Sequence, residues 1–206
     1  MSRLWEPNRG DRSRKPNWRI PFLAIALFVI ALDRLTKIWV QKNIPLDGSI
    51  PVIKNVFHLS HVLNPGAAFS LFTDSADPKR THLLLTGFSV AAIVIVLIAL
   101  LRIGRRFTLS ALGLALILGG AIGNAWDRIV YKEVTDFLAV TIIHYHWPDF
   151  NLADSAIVCG AILLLIDTLF RQRAPADPKP NAKPNANPES KPNSNPDQPA
   201  DSSQTQ

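Results

Sequence analysis

The chain has 206 residues, of which 48% are apolar, and it carries a formal net charge of +6 at pH 7 with a pI of about 9.8. The apolar residues collect in four segments, which excludes an ordinary soluble domain. The basic residues lie beside these segments and form no patch interleaved with aromatic residues. We therefore interpret them as signals that set the membrane topology, at an anionic membrane face, and not as a nucleic-acid binding site.

The chain begins with a polar, basic stretch, residues 1–19, which is followed by an apolar segment, residues 20–40. Secretory signal peptides share this order, but here no cleavage site of small residues follows, and the apolar segment continues through charged positions. We therefore predict a retained first transmembrane span, because about 20 helical residues cross the hydrocarbon core of a bilayer.

A polar loop follows the first span and occupies residues 41–80. It contains two short runs typical of β-strands, Ile50–Ile53 and Val56–Leu63, separated by turn residues. The loop therefore predicts a small platform outside the membrane with some strand pairing.

Three further apolar segments, residues 83–101, 107–125 and 153–170, predict the second, third and fourth spans. The third contains glycines that allow neighbouring helices to approach closely, namely Gly113, Gly119, Gly120 and Gly123. Residues 171–206 begin with two arginines and continue as a tail rich in Pro, Asn and Ser. Because this tail lacks apolar residues for a core, we predict that it is disordered.

Arginines predict the orientation of the four spans. They are concentrated in the N-terminal stretch, in the 102–106 connection and at 171–173, which places both termini and the middle connection in the cytoplasm. The 41–82 and 126–152 loops then face outward. The sequence thus predicts an all-α membrane protein of four transmembrane helices with a small extracytoplasmic β-rich platform.

Three charged residues, Asp33, Arg34 and Lys37, lie within the first span, and two of them can pair. Asp33 and Lys37 are four residues apart, so on a helix they share a face and can form an ion pair. Charges at this depth are costly unless they are paired, and they mark function by default. Two interpretations stay open: an ion pair that locks helix packing, or direct participation in catalysis.

Two polar motifs stand on the predicted outer side. NPGAAFS at 64–70 is typical of a turn, and it is also a candidate for holding an extended peptide through backbone and amide hydrogen bonds. In the GNAWDR motif, Asn124, Asp127 and Arg128 are spaced to share one helix face. This motif is an interfacial anchor, a buried Arg–Asp pair, or a site where the arginine binds a lipid phosphate or a peptide carbonyl.

The chemistry depends on whether Asp136 and Asp154 meet. Apart, Asp136 is a solvated loop acid, and Asp154 or Asn151 is the cap of the fourth helix. Together in a partly desolvated site, two carboxylates share a proton, so that one activates water while the other protonates the scissile carbonyl or the leaving nitrogen. The spacing alone leaves both interpretations open.

Cysteine and histidine give weaker signals. Cys159 lies in an apolar run, and we predict a small buried hydrophobic residue there. The pairs His58/His61 and His144/His146 have no thiol nearby, and the second pair is close only to Asp149. We therefore expect no metal site and no cofactor.

The chain resembles the bacterial lipoprotein signal peptidases (signal peptidase II). The resemblance covers almost all of residues 20–170 and rests on motifs in a fixed order: DRLTK at 33–37, NPGAAFS at 64–70, GGAIGNAWDR at 119–128, VTDF at 134–137 and FNLADS at 150–155. It implies a four-span aspartic endopeptidase of the bacterial inner membrane, active at the outer face. Such an enzyme removes the signal peptide of a prolipoprotein by cleaving before the cysteine that carries a diacylglyceryl group.

The resemblance also implies site residues and partners. The catalytic dyad of the family falls on Asp136 and Asp154. The substrate-binding or site-supporting positions are Asn64, Gly66, Asn124, Arg128 and Asn151, and the structural polar positions are Asp33, Lys37 and Asp127. The implied partners are the lipid-modified prolipoprotein and membrane lipid. We expect a monomer, and the Gly66–Ser70 segment is the place where motion over the site would be sought.

Two other classes of protein compete with this interpretation. A proton- or ion-coupled transporter would also use acids within the membrane, but the chain shows no internal repeat and its acids cluster on one side. A metal-dependent lipid phosphotransferase would need several carboxylates on one helical turn and Mg²⁺.

Overall fold

The computed structural model describes residues 16–65 and 78–173. These residues form, in chain order, α1 (Arg19–Asn43), β1 (Ser49–Ile53), β2 (Phe57–Asn64), α2 (Pro78–Ile103), α3 (Leu109–Tyr131), β3 (Val134–Ile142), β4 (Tyr145–His146) and α4 (Leu152–Arg173). Three parts of the chain lie outside the described residues: residues 1–15, residues 66–77, which include the Gly66–Ser70 segment, and the tail after residue 173.

Three helices are long and apolar enough to cross a membrane: α2 over Lys79–Ile103, α3 over Leu109–Tyr131 and α4 over Leu152–Gln172. Helix α1 has 25 residues, but the charged residues at 33, 34 and 37 interrupt its apolar sequence, and it is not among the three. The helical architecture and its membrane-span candidates agree with the predicted class. A fourth crossing by α1 stays a prediction.

Helix α3 lies at the centre of the bundle and contacts each of the other helices. In its most apolar part 56% of the residues are buried inside the protein, against 6% in α2 and 17% in α4. The core that joins α1, α2 and α3 consists of Phe22, Ala26, Leu100, Ala111, Leu114, Ala115 and Leu118. Because α2 and α4 leave most of their apolar surface uncovered, hydrocarbon is the environment that suits them.

Glycines bring α3 and α4 into backbone contact, as predicted. A Cβ atom on Gly113 would lie 2.6 Å from the carbonyl oxygen of Gly160, and a Cβ atom on Gly120 would lie 2.3 Å from that of Ala153. No side chain fits at either distance, so only glycine allows this approach. The contact at Gly120 seats the start of α4 directly against α3.

The four strands form one antiparallel sheet in the order β1-β2-β3-β4. Strands β1 and β2 coincide with the two predicted runs, which confirms the small sheet. Strand β3 was not predicted, because the second loop was interpreted only as a polar excursion. It pairs with β2, with Asp136 opposite Val62 and Val134 opposite Asn64. The two long connections therefore fold together as one sheet.

Helix α3 continues beyond the predicted end of the third span at Ala125 and finishes at Tyr131. Lys132 then adopts a left-handed conformation with φ 66°, and its N–H donates to the carbonyl of Arg128, which closes the helix. The GNAWDR motif is therefore helical, as its spacing predicted. Strand β3 begins two residues after Lys132, so the end of α3 and Asp136 stay close together.

Candidate active site

Asn151 and Asp154 form a reciprocal cap at the start of α4. The Asn151 side-chain oxygen accepts a hydrogen bond from the N–H of Asp154 at 3.0 Å, and the Asp154 Oδ2 atom accepts one from the N–H of Asn151 at 3.2 Å. This exchange satisfies two backbone donors that the first helical turn leaves free. The predicted cap is therefore present, and it fixes the orientation of the Asp154 carboxyl group.

Asp136 lies on β3 and is 3% exposed, so it is not a solvated loop acid. Its Oδ2 atom accepts a hydrogen bond from the Asn64 amide at 3.0 Å, and its Oδ1 atom accepts one from the Asn151 amide at 2.8 Å. The strand is pinned beside α4 because Phe137 and Leu138 both donate their N–H groups to the carbonyl of Phe150. Strand pairing thus carries Asp136 to the start of α4.

Asn124 on α3 completes the link between the two acids. Its side-chain nitrogen donates to Asp154 Oδ1 at 2.7 Å, and its oxygen accepts from the Asn151 amide at 3.1 Å. Asn151 therefore touches Asp136 with its side chain and Asp154 with its backbone. Both aspartates line one cavity of about 630 Å³.

The environment of Asp136 changes its proton affinity. The pKa of Asp136 is raised to about 6: burial is the main cause and the negative charge of Asp154 adds to it, while hydrogen bonds from Asn64 and Asn151 act in the opposite direction. A carboxyl group of this kind exchanges its proton close to neutral pH. It has the proton affinity that a general acid or base needs.

Arg128 also lines this cavity, at the end of α3. Its Nε atom is buried and has no hydrogen-bond partner within the described part of the chain. The alternative in which Arg128 pairs with Asp127 is wrong, because the Asp127 carboxylate binds Arg34 and Lys37 instead. The guanidinium group thus faces a cavity that contains the two aspartates.

Four charged side chains form an ion cluster beside the cavity, consisting of Asp33, Arg34, Lys37 and Asp127. The predicted pair forms, with Lys37 Nζ 2.8 Å from Asp33 Oδ2, and the same nitrogen lies 2.8 Å from Asp127 Oδ2. Arg34 binds the other oxygen of Asp127. The sequence analysis gave Arg34 no role, because the partner it considered for Asp127 was the adjacent Arg128.

The ion cluster is joined to the cavity at two points. Lys37 Nζ donates to Asn124 Oδ1 at 3.1 Å, and Asp33 Oδ1 accepts a hydrogen bond from the N–H of Ala153 at 3.1 Å. Ala153 is the residue before Asp154, so the cluster contacts both the amide that serves Asp154 and the backbone that carries it.

The cavity continues along α4 past Ile157, Val158 and Cys159. Cys159 is exposed, so the prediction of a buried hydrophobic residue is wrong. The reason is that α4 turns this face away from the rest of the protein, where an apolar residue meets hydrocarbon and needs no protein neighbour.

One histidine of each pair, and Asp149, have hydrogen-bond partners within the protein. His61 Nδ1 bonds the carbonyl of Ile44, His146 Nδ1 bonds the hydroxyl of Thr141, and Asp149 accepts a hydrogen bond from Ser60 at 2.6 Å. Over residues 16–65 and 78–173, no group of three or more His, Cys, Asp or Glu side chains is arranged to hold a metal ion.

Comparison with known proteins places the chain in a family. Residues 25–170 match the family model for signal peptidase (SPase) II. The lipoprotein signal peptidase of Solibacter usitatus is 41% identical over 162 residues, which cover 79% of this chain and 98% of the relative. The lipoprotein signal peptidase of Cupriavidus necator is 39% identical over 172 residues, which cover 84% and 96%.

Two solved structures, both described as bacterial membrane enzymes, share the fold. One has a TM-score of 0.66 and 26% identity and covers 81% of this chain and 98% of its own. The other has a TM-score of 0.61 and 28% identity and covers 77% and 98%. Together with the three apolar helices, these likenesses identify an integral membrane protein.

Within that class the family is defined by the sequence match. The family model covers most of the chain, and relatives about 40% identical align along nearly their full length. The chain belongs to the signal peptidase II family, the lipoprotein signal peptidases. The resemblance drawn from its motifs is therefore confirmed.

Proposed function

We propose that this protein is an aspartic endopeptidase that removes the signal peptide from diacylglyceryl-modified prolipoproteins, cleaving before the lipidated cysteine. The observation that carries the proposal is the double contact of Asn151 with Asp136 and Asp154 at the wall of one cavity. Membership of the signal peptidase II family supports the substrate class.

In the protonation state that reacts, the dyad of Asp136 and Asp154 shares one proton. Asp136, whose pKa burial raises to about 6, holds that proton, and Asp154 accepts a proton from water as the water oxygen attacks the scissile carbonyl. A C–O bond forms, and the carbonyl oxygen takes the proton of Asp136. Collapse of the tetrahedral intermediate breaks the C–N bond, the leaving nitrogen takes the proton held by Asp154, and one hydroxyl of the intermediate returns its proton to Asp136, which restores the one-proton dyad.

Three amides hold the dyad in this geometry. Asn64 and Asn151 donate to Asp136, and Asn124 donates to Asp154, so neither acid rotates freely. Neutral donors position the carboxylates without fixing their charge. The dyad therefore keeps its capacity to gain and lose a proton during turnover.

Arg128 and Gly66 are the proposed contacts to substrate. Arg128 lines the cavity with an unsatisfied Nε atom, and it binds either a peptide carbonyl or a lipid phosphate. Gly66 lies outside the described residues, two positions after Asn64 in the sequence. We assign it a backbone contact to an extended peptide on the basis of the motif alone.

We further propose that α1 is the fourth transmembrane helix. Its charged residues do not oppose this, because Asp33, Lys37 and Asp127 are fully buried and bind one another inside the protein. With α1 included, the basic N-terminus (1–19) and the tail (171–206) flank a four-span domain (20–170). Both termini lie in the cytoplasm, and the sheet and the dyad lie at the outer face of the bacterial inner membrane.

This placement matches the needs of the substrate. The two acyl chains of a diacylglyceryl cysteine stay in the outer leaflet, while the scissile bond must reach both water and the acids. Burial of acyl chains contributes about 0.8 kcal/mol per methylene, so the lipid supplies much of the binding energy. Because the dyad and its amides come from one chain, we propose that the protein acts as a monomer.

A cleavage assay with two precursors tests the proposal. The full chain, purified in detergent, receives the same prolipoprotein with and without the diacylglyceryl group, and product is followed by gel shift with and without EDTA. We expect efficient cleavage of the modified precursor alone and no effect of EDTA. Equal cleavage of both precursors, or loss of activity with EDTA, contradicts the proposed substrate or the proposed mechanism, respectively.

A further inference from the structure

Lys37 has contacts that an ion pair with Asp33 does not explain. Its side chain is fully buried, and besides the two carboxylates its Nζ atom donates to Asn124 Oδ1 at 3.1 Å. An ammonium group donates hydrogen bonds and accepts none, so the amide atom of Asn124 that faces it must be the oxygen. The amide nitrogen of Asn124 must therefore point the other way.

The orientation of Asn124 decides how Asp154 is held. With its oxygen on Lys37, the Asn124 nitrogen donates to Asp154 Oδ1 at 2.7 Å. A flipped amide would place its N–H groups against the ammonium and its oxygen against the carboxylate, which makes both contacts repulsive. Lys37 therefore selects the one orientation that supports Asp154.

The same constraint reaches Asp136 through a second amide. The Asn124 oxygen that faces Lys37 also accepts from Asn151 Nδ2 at 3.1 Å, and that nitrogen donates to Asp136 Oδ1 at 2.8 Å. The oxygen of Asn151 is then left to accept the N–H of Asp154 in the helix cap. One buried cation thus orients two amides, and those amides contact both acids.

We propose that Lys37 is a positioning residue of the active site, which acts through Asn124 and Asn151 to hold Asp136 and Asp154 in reactive geometry. This inference rests on the proposed function of the dyad. It goes beyond charge balance, because Asp127 already has Arg34 as a partner while no other cation contacts Asn124 within the described residues. Lys37 is not a catalytic residue, since it touches neither acid.

A pair of matched variants isolates this role. Asp33→Asn is the reference, and Asp33→Asn/Lys37→Met removes the cation without leaving Asp33 as an unpaired buried charge. In the double variant Asp127 keeps Arg34 as its counter-ion. Both full-length variants are assayed on diacylglyceryl-modified prolipoprotein in native membranes and in detergent. Relative to the reference, we expect the double variant to lose about 10²-fold in kcat with little change in KM, since misplaced catalytic groups cost this much.

The pH dependence of kcat/KM is a second measurement, which a role of Lys37 in packing alone would leave unchanged. Burial raises the pKa of Asp136, and the charge of Lys37 acts against this rise. Removal of Lys37 should therefore shift the basic limb of kcat/KM to higher pH than in the Asp33→Asn reference. Equal kcat and an unmoved limb in the two variants would overturn the proposal.

Asn124→Asp keeps the test decisive if the double variant does not fold. The new carboxylate keeps an acceptor for Lys37 and gains an ion pair with it, but it has no N–H to offer Asp154. We expect a stable protein with activity at least about 10²-fold below wild type, and near-wild-type activity would refute the relay. If Asp136→Asn and Asp154→Asn are inactive but removal of Lys37 changes neither kcat nor the pH profile, this inference alone is rejected. If Asp136→Asn and Asp154→Asn are active, the proposed function itself is rejected.

Discussion

Two groups of aspartates lie side by side where α3 ends and α4 begins, and they differ in their partners. In the ion cluster, Asp33 and Asp127 bind the cations Lys37 and Arg34 directly. In the dyad, Asp136 and Asp154 receive hydrogen bonds from amides and from a backbone N–H, and no cation lies in hydrogen-bond contact with either acid within the described residues. The ion cluster thus holds its carboxylates with charged partners, whereas the dyad holds its carboxyl groups with neutral donors.

The difference separates structure from chemistry over a short distance. A buried carboxylate that is paired with a buried cation holds helices together, and the loss of either member is costly. A buried carboxyl group held by amides keeps a pKa close to neutrality, as Asp136 does. The ion cluster contacts Asn124, which also contacts Asp154, and the N–H of Ala153, the residue before Asp154, so the cluster helps to position the dyad.

The largest expected effect on stability comes from breaking the ion cluster. Asp127→Asn leaves an excess positive charge among fully buried groups, and we expect a loss of about 3–5 kcal/mol in the free energy of unfolding. Unfolding in mixed detergent micelles measures it. Arg171→Ala is the control, because Arg171 is 63% exposed in its pair with Asp167 and should cost less than about 1 kcal/mol. Equal costs for the two variants would contradict the comparison.

A somewhat smaller effect is expected where both groups depend on the same backbone. Gly120→Val places a side chain against the carbonyl of Ala153, where even a Cβ atom would lie at 2.3 Å. Overpacking of this kind costs about 1–3 kcal/mol, and displacement of α4 should also reduce activity. Gly87→Val on α2 is the matched control, since nothing lies within 4 Å of a Cβ atom there. Melting temperature and cleavage rate are measured for both, and a Gly120 variant as active as the Gly87 variant counts against the role of this contact.

The smallest expected effect is a shift in pH dependence. Because the pKa of Asp136 is about 6, the free enzyme loses the shared proton as pH rises through this value, so kcat/KM should fall on the alkaline side. The hydrogen bond from Asn64 favours the ionised form of Asp136. Asn64→Ala should therefore move the basic limb to higher pH.

Asn43→Ala is the control for that shift. Asn43 is an exposed amide that donates to the carbonyl of Trp39 at the end of α1, and it does not line the cavity of the dyad. Its profile should superimpose on that of the wild type. A flat profile from pH 5 to 9 in the wild type, or an Asn64 variant whose basic limb does not move, is inconsistent with a shared proton on this pair.

Local patterns made much of the fold predictable from the sequence. Apolar runs give the helices, the spacing of Asp33 and Lys37 gives their ion pair, and Asn151 with Asp154 gives the cap of α4. Each of these features depends on residues close together in the chain. The physical rules for helix faces and caps are sufficient for them.

Contacts between distant residues were not predictable in the same way. Strand β3 carries Asp136 and pairs with β2, although α2 and α3 separate the two strands in the chain. No local sequence pattern in β3 indicates that β2 is its partner. Arg34 and Asp127 meet across 93 positions for the same reason. Cys159 was misjudged because a helix face turned toward hydrocarbon needs no protein to cover it. The sequence alone left open whether Asp136 and Asp154 meet, because their connection runs through Asn151, whose contacts with both acids depend on the folded structure.

The most direct test of the account is the activity of Asp136→Asn and Asp154→Asn on diacylglyceryl-modified prolipoprotein. Asparagine keeps the shape of the side chain and removes the acid, and melting temperatures show whether each variant is folded. We predict that both folded variants lose at least about 10³-fold in cleavage rate, because each removes one half of the acid–base pair. Near-wild-type cleavage by either variant would contradict the central claim that these two carboxyl groups perform the hydrolysis.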